Sequence, residues 1–448
     1  MKKFFCFFIV VCFCFFAFGC NKNVSQKTVK CKLTVEYQNQ KIFGSVTYSN
    51  FESCINGGTV SFNLYPNKIF DSDNAITVLS VYQNGNSCEF IQTGEKKQYL
   101  QVKATSNEIL INFETQVFNG NKRLASFEGG ANLSYFFPHL VPLINSGGFA
   151  FYNYSTFGDA FFDPFCDYEV SLTVPSENAV ACGATPTFCN VNGETTTYGY
   201  LLNGAKTFAL CINKNYAVVS KKWGNKCVNY YYYNDNNPEK LLDITIRALE
   251  FFAEKIGDIA FNTFTVAKTP FDKGGMEYPA FCMISEDISN EEYYFATVHE
   301  IAHQYFPISV DFNQCESAFL DEGFAEYLAM KFLQKTDNKQ FLERLFLINA
   351  SAEAFEKAVK SGKTNFNGSA FRSLNEFSCE YEYVSVVYRK AFLTFLNAEK
   401  VIGEKAFFKG VKQFLKKYGG KNATFEQFCD SFSLNAKTIR QTFLKTLA

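Results

Sequence analysis

The sequence predicts a multidomain α+β protein, an N-terminal antiparallel β-sandwich-like domain followed by a mostly helical one. At 448 residues the chain exceeds the usual span of one domain. From Lys22 to about Ser220 apolar and polar residues alternate with period two, the pattern of half-buried antiparallel strands. Past Gly224 the texture changes, and from Ser289 to the end the apolar spacing is mostly helical.

The first twenty residues read as a targeting signal. Lys2 and Lys3 precede an apolar run from Phe4 to Phe18, fifteen residues long. That is shorter than the ~20 residues that span a bilayer, and it fits the apolar core of a secretory signal. Ala17-Phe18-Gly19-Cys20 is similar to a bacterial lipobox, in which Cys20 becomes the site of lipid attachment. Residues 1–20 are therefore expected to be a signal peptide, and the protein to be exported and lipid-anchored on the outer face of the bacterial cell membrane. An uncleaved anchor is the alternative.

Residues 21–220 form the expected β domain. Cys31, Leu33, Val35 and Tyr37 alternate with polar residues, as do Val60, Phe62 and Leu64; Ile109, Ile111 and Phe113; and Val170, Leu172 and Val174. Asn56-Gly57-Gly58 and Asn84-Gly85-Asn86 supply turns. Residues 221–448 form the second domain. A strand is expected over Cys227 to Tyr233, a helix over Pro238 to Ile256 with Leu242, Ile246, Leu249 and Phe252 on one face, and a strand over Ala260 to Ala267.

Composition excludes some functions. Lys+Arg (43) and Asp+Glu (44) nearly cancel, so no electrostatic footprint for nucleic acid exists. Sixteen cysteines include no C-x-x-C pair, which argues against a cysteine-ligated metal. Their oxidation state and pairing stay open.

The chemistry is concentrated in Val298-His299-Glu300-Ile301-Ala302-His303-Gln304. Ser289 and Glu292 have capping-box spacing and Pro307 ends the segment, which predicts a helix of about 17 residues. Residues four apart share a helix face, so both imidazoles project to one point, while Glu300 is rotated toward a metal-bound water. This is the H-E-x-x-H arrangement: zinc acidifies water and the glutamate takes its proton. A catalytic zinc needs a third protein ligand, and Glu322 follows His303 after eighteen intervening residues, near the start of a second helix. Gly323 there costs about 1 kcal/mol relative to alanine, which a close approach to the first helix would justify.

His299-Glu300-x-x-His303, eighteen residues and Glu322 together resemble the ligand pattern of the aminopeptidase N family of gluzincins. Gly274-Gly275-Met276-Glu277 resembles that family's G-x-M-E-N signature. Val387-Tyr388-Arg389-Lys390-Ala391 looks like its V-Y-x-K-G segment, and Asp167 to Pro175 is similar to a strand of its β domain. The resemblance implies a thermolysin-like catalytic domain holding one zinc ion on His299, His303 and Glu322, with Glu300 as base. It implies that Gly274, Gly275, Met276 and Glu277 bind substrate, with Glu277 taking the free α-amine of a peptide. Tyr388 would stabilise the oxyanion, and Tyr383 would be a supporting hydroxyl. His139 is read as structural. As a bare pattern, Val384, Tyr388, Phe392 and Phe395 also form an apolar helical stripe, which leaves a core role for Tyr388 open.

The chain departs from the signature in two ways. Tyr278 stands where the family has asparagine, and no β-domain partner for Glu277 can be placed. The family's large C-terminal helical domain is also expected to be absent, leaving a more open cleft. The expected function is removal of N-terminal residues from peptide substrates. The rivals are an endopeptidase of the same fold and a surface lipoprotein that captures peptides without cleaving them. Retention of Glu300 argues against the last.

Overall fold

The computed structural model describes residues 28–448 except residues 145 and 156, so the expected signal and Cys20 lie outside the described residues. The β domain is built on an eight-stranded sheet. Its order is Phe188–Asn192, Thr195–Ala205, Cys166–Pro175, Val29–Gln38, Lys41–Ser49, Glu108–Gln116, Ile76–Gln83 and Asn86–Ser87. The alternation read from the sequence becomes an inside and an outside: Leu33, Val46 and Ile111 are fully buried. Two four-stranded sheets contribute Phe62, Leu100 and Leu210 to the same core.

One pairing corrects the all-antiparallel expectation. Val29–Gln38 runs parallel to Cys166–Pro175. Parallel neighbours need a long crossover, and the chain between Gln38 and Cys166 supplies it by building most of the domain.

The second domain opens with a five-stranded sheet ordered Ala217–Trp223, Lys226–Tyr232, Thr263–Thr269, Phe281–Ser285, Gly275–Tyr278. The border expected at 220/221 falls inside its first strand. Pro238–Ile256 is a helix with the expected bounds and links the parallel strands Lys226–Tyr232 and Thr263–Thr269. Helices then dominate: Asn290–Ala302 (the histidine helix), Gln314–Thr336 (the glutamate helix), Asn338–Ser361, Ala391–Ile402 and Glu404–Tyr418.

The hairpin Gly275–Tyr278/Phe281–Ser285 joins the two domains. Met276, Tyr278, Phe281 and Met283 enter the β-domain core, while Cys282 and Ile284 face the helical core. A second tie is an ion pair between Lys206 of the β domain and Asp311, at 2.9 Å with side chains 7% and 0% exposed. No helix among the described residues is long and apolar enough to cross a membrane.

Candidate active site

The histidine helix is shorter than expected, thirteen residues ending at Ala302 rather than about 17. Ser289 caps its start by accepting from the Glu292 N–H. Beyond Ala302 the bonding tightens, with Gln304 N–H to Ile301 and Tyr305 N–H to Ala302. Pro307 brings no N–H with which to resume the ladder. Gln304 is instead held side-on, donating to Tyr278 O at 3.0 Å and accepting from Ala280 N–H at 2.9 Å. The His303 N–H still reaches His299 O, at 3.3 Å, so both imidazoles keep helical spacing.

The glutamate helix starts at Gln314 and is kinked at Ser317, so Glu322 stands well past the first turn where the sequence placed it. Gly323 is needed, but for another neighbour than expected. A Cβ there would overlap the Cβ of Ala391, so the close approach is to helix Ala391–Ile402 and not to the histidine helix.

Three donor atoms converge. His299 Nε2 is 3.1 Å from His303 Nε2 and 3.2 Å from Glu322 Oε2, and His303 Nε2 is 3.3 Å from Glu322 Oε2. A tetrahedral zinc with bonds of ~2.0–2.1 Å separates its ligand atoms by roughly 3.3–3.4 Å, so this triangle fits such an ion. The remaining imidazole nitrogens are spoken for. His299 Nδ1 meets Glu326 Oε2 at 3.2 Å, and His303 Nδ1 meets Asp321 Oδ1 at 2.7 Å and Phe306 O at 3.0 Å. Such partners fix the ring orientation and tautomer of a metal ligand.

Glu300, Glu277 and His303 also place one donor atom each within 4.8 Å of one another. The Glu300 Oε2 is buried and has no hydrogen-bond partner among the described residues. Burial pushes the Glu300 carboxyl up to about 7, against the opposing pull of His299 and His303. Gly275 explains how it fits: a Cβ on Gly275 would overlap the Glu300 carboxyl, whereas Gly274 has open space around it. Met276 is buried in the β-domain core, at the cavity wall.

Glu277 lies on the sheet's edge strand, 7% exposed. Burial raises its carboxyl well above the usual carboxylate range; His303 opposes the shift and Asp159 adds to it. Among the described residues its hydrogen-bond partner is a distant one, Gln314 Nε2 at 3.5 Å. Tyr278 points away, donating to Ser134 Oγ of the β domain at 2.8 Å.

Tyr388 sits in a π-helical stretch, Val384–Lys390. Hydrogen bonds from i to i+5 bring residues five apart onto one side, so Tyr383 and Tyr388 face the same cavity with ring centroids 5.9 Å apart. The helical stripe expected for Val384, Tyr388, Phe392 and Phe395 is thereby broken. Phe392 and Phe395 are buried, while Val384 and Tyr388 line the cavity. The Tyr388 ring lies near-parallel to His299 at 6.0 Å. Tyr383 keeps a buried hydroxyl without a partner among the described residues. The turn leading into this stretch is anchored by Glu382, which accepts from Asn367 N–H, Ser378 N–H, Ser378 Oγ and Arg372 at 2.6–2.9 Å.

The three converging donors open on one cavity of about 420 Å³ together with Glu300, Glu277, Tyr383 and Tyr388. The β domain forms its other wall through the irregular segment that carries Tyr154, Phe157 and Asp159. Asp159 is held by Arg123 at 2.7 Å, and Arg123 lies over the Phe161 ring at 4.7 Å. His139 is remote from the cavity, stacked on Phe137 at 4.1 Å and paired with Asp163 at 3.5 Å.

Sequence reasoning missed Asp159, Asp321, Glu326 and Glu382. Glu326 was legible as the residue one turn after Glu322 on the same face, and Asp321 as its immediate neighbour. Asp159 gave no signal, because it belongs to a segment with no periodic pattern.

Residues 241–446 match the sequence model of the peptidase family M1 domain. Leucyl aminopeptidase of Saccharolobus solfataricus is 26% identical over 205 residues, 43% of this chain and 26% of that protein. Aminopeptidase N of Lactobacillus delbrueckii subsp. lactis is 25% identical over 225 residues, 45% of this chain and 26% of that protein. The matches thus span about a quarter of these relatives. Among solved structures, a two-domain M1 zinc metallopeptidase bound to L-arginine superposes with a TM-score of 0.64 at 14% identity, covering 94% of each chain. An M1 zinc metallopeptidase from Deinococcus radiodurans gives 0.64 at 15%, covering 93% of this chain and 94% of that one. The likeness extends over both domains and is one of fold.

Proposed function

We propose that this chain, which belongs to peptidase family M1 through residues 241–446, is a zinc-dependent aminopeptidase that removes N-terminal residues from peptides. The observation that carries the reading is the triangle of His299 Nε2, His303 Nε2 and Glu322 Oε2, with edges of 3.1–3.3 Å. One zinc ion held there supplies Lewis acidity toward the scissile carbonyl and the attacking water.

The chain's own groups do the rest. Glu300 has a free buried oxygen and a carboxyl raised to about 7, which suits it to take a proton from water and return it to the leaving amine. Tyr388, which lines the cavity with its hydroxyl beside Glu322, serves as donor to the oxyanion that forms on the carbonyl. Glu277 receives the substrate's α-ammonium. Desolvation is what raises its pKa, and an arriving cation relieves it. Asp159 supports this part of the reading, since it brings a second carboxylate from the β domain to the same cavity. Gly275–Tyr278 is an edge strand along the cavity, so its free side offers backbone groups to an extended peptide. The apolar run before Cys20 supports lipid anchoring at the outer face of the bacterial membrane as part of the same proposal.

The test compares one peptide with a free and with an acetylated N-terminus. The free peptide should lose its first residue, and the acetylated one should react far more slowly. The difference is roughly 2–5 kcal/mol in transition-state stabilisation, the cost of leaving a buried charge unpaired. Glu277→Ala should erase most of that preference. Equal cleavage of both peptides at internal bonds would make the protein an endopeptidase.

A further inference from the structure

Helix Glu404–Tyr418 has one face that the proposed chemistry does not use. Its inner side is buried through Phe407, Val411 and Phe414. Its outer side carries Lys405, Lys409, Lys412 and Lys416, all exposed and spaced four, three and four residues apart, which puts them on one stripe. Lys417, in the last turn beside the stripe, and Lys421, just past the helix end, are also exposed. Glu404 is engaged by Lys255 at 2.6 Å, and Asp258 lies 3.6 Å from Lys226. In a chain of net charge −1 this is a local excess of cation. An open groove of about 580 Å³ runs along it, with Phe408 among its lining residues, between the stripe and helix Pro238–Ile256.

The stripe lies on the side where the chain leaves the described structure. Lys30, in the first strand, pairs with Asp167 of the neighbouring strand, and Asp167 accepts from Gly204 N–H at 3.0 Å. Gly204 in turn lines one cavity together with Leu415 and Gly419, at the end of the lysine helix. Only eight residues separate Cys20 from Val29, a reach of at most about 32 Å over the nine steps even fully extended.

We propose that the lysine face of helix Glu404–Tyr418 docks on an anionic lipid surface, holding the body of the protein against the membrane in one orientation. Basic side chains within a Debye length of such a surface are attracted to its headgroups, and the short N-terminal segment limits how far the body can stand from it. Glu404 and Asp258 on this face already have cationic partners, and against the one remaining groove carboxylate, Glu254, the four stripe lysines keep the face positive.

The test uses the full chain with neutral phosphatidylcholine vesicles, or with vesicles containing about one-third phosphatidylglycerol. Flotation measures association. Acylation of lysines by a water-soluble reagent, mapped by mass spectrometry, measures orientation. Lys409, Lys412 and Lys416 should label about fivefold more slowly on anionic than on neutral vesicles, and about 0.5 M salt should remove the difference. Lys339, whose side chain is 88% exposed on another helix, should label equally on both. Joint replacement Lys409→Glu, Lys412→Glu and Lys416→Glu should abolish the slowing at Lys405 and Lys417 while leaving hydrolysis of a soluble peptide unchanged. Flotation on anionic vesicles alone would support the face even without the anchor. Equal labelling on the two vesicle types, flotation on neither, or equal protection by a soluble anionic polymer would overturn the proposal.

Discussion

Asp321 Oδ1 lies 2.7 Å from His303 Nδ1, and Asp321 Oδ2 receives the Gln314 side-chain amide at 2.6 Å. Both oxygens are thus committed to orienting one imidazole. Asp321→Asn keeps the shape but exchanges one acceptor for a donor and removes the charge, so it serves His303 and Gln314 together only if the Gln314 amide turns over, and then without a carboxylate behind the imidazole. Zinc affinity should fall about 10- to 100-fold, as measured by competition with a chromophoric chelator. An unchanged affinity would mean that Phe306 O alone holds the ring.

Gly275→Ala tests how tightly Glu300 is packed. The added methyl would occupy the place of the Glu300 carboxyl, and its three nearest neighbours would all be Glu300 atoms. The variant should retain zinc by metal analysis yet lose turnover by roughly 100-fold or more, close to the loss in Glu300→Gln. Full activity would show that the carboxyl has room to move without consequence.

Tyr388→Phe removes a hydroxyl and almost no volume. Loss of one oxyanion donor lowers kcat by about 100- to 1,000-fold. Because the charge on the carbonyl oxygen develops only toward the transition state, KM should change little. Steady-state kinetics on one free peptide decide this, and an unaltered kcat would assign Tyr388 to packing.

The metal-free protein should become less stable as pH rises. Burial alone would lower His299, but hydrogen bonds to Glu322 and Glu326 outweigh it and lift the imidazole from 6.5 to about 9. A folded-state pKa above the unfolded value stabilises fully below 6.5, and that contribution fades as pH climbs through about 9. The loss is on the order of 3 kcal/mol. The zinc-loaded protein should behave oppositely over the same range, because ligation needs neutral imidazoles and proton competition weakens with pH. Thermal unfolding with and without a chelator from about pH 6.5 to 9 measures both slopes.

What the sequence disclosed follows periodicity and spacing. Helix Pro238–Ile256 was readable to its bounds because Pro238 starts it and Leu242, Ile246, Leu249 and Phe252 mark one face. The donors His299, His303 and Glu322 were readable because helix geometry converts spacing into direction. Tyr388 was ambiguous for a definite reason: the apolar stripe assumed 3.6 residues per turn, and the chain winds more widely from Val384 to Lys390. The parallel strand pair and the approach of Asp159 depend on contacts between segments far apart in the chain, which no local pattern encodes.

The Lys206–Asp311 pair bears on how such a chain can be divided. A cut at residue 220 would hand the cation to one fragment and the carboxylate to the other. Once parted, both charges would regain water, so the cost lies less in the pair itself than in the buried surface laid open around it. The same cut would strip the β-domain cover from Tyr278, Phe281 and Met283. The two halves are consequently a single unit of inheritance. The helical half can be grafted onto a different β partner only if that partner presents a positive charge to Asp311 and an apolar floor to the hairpin.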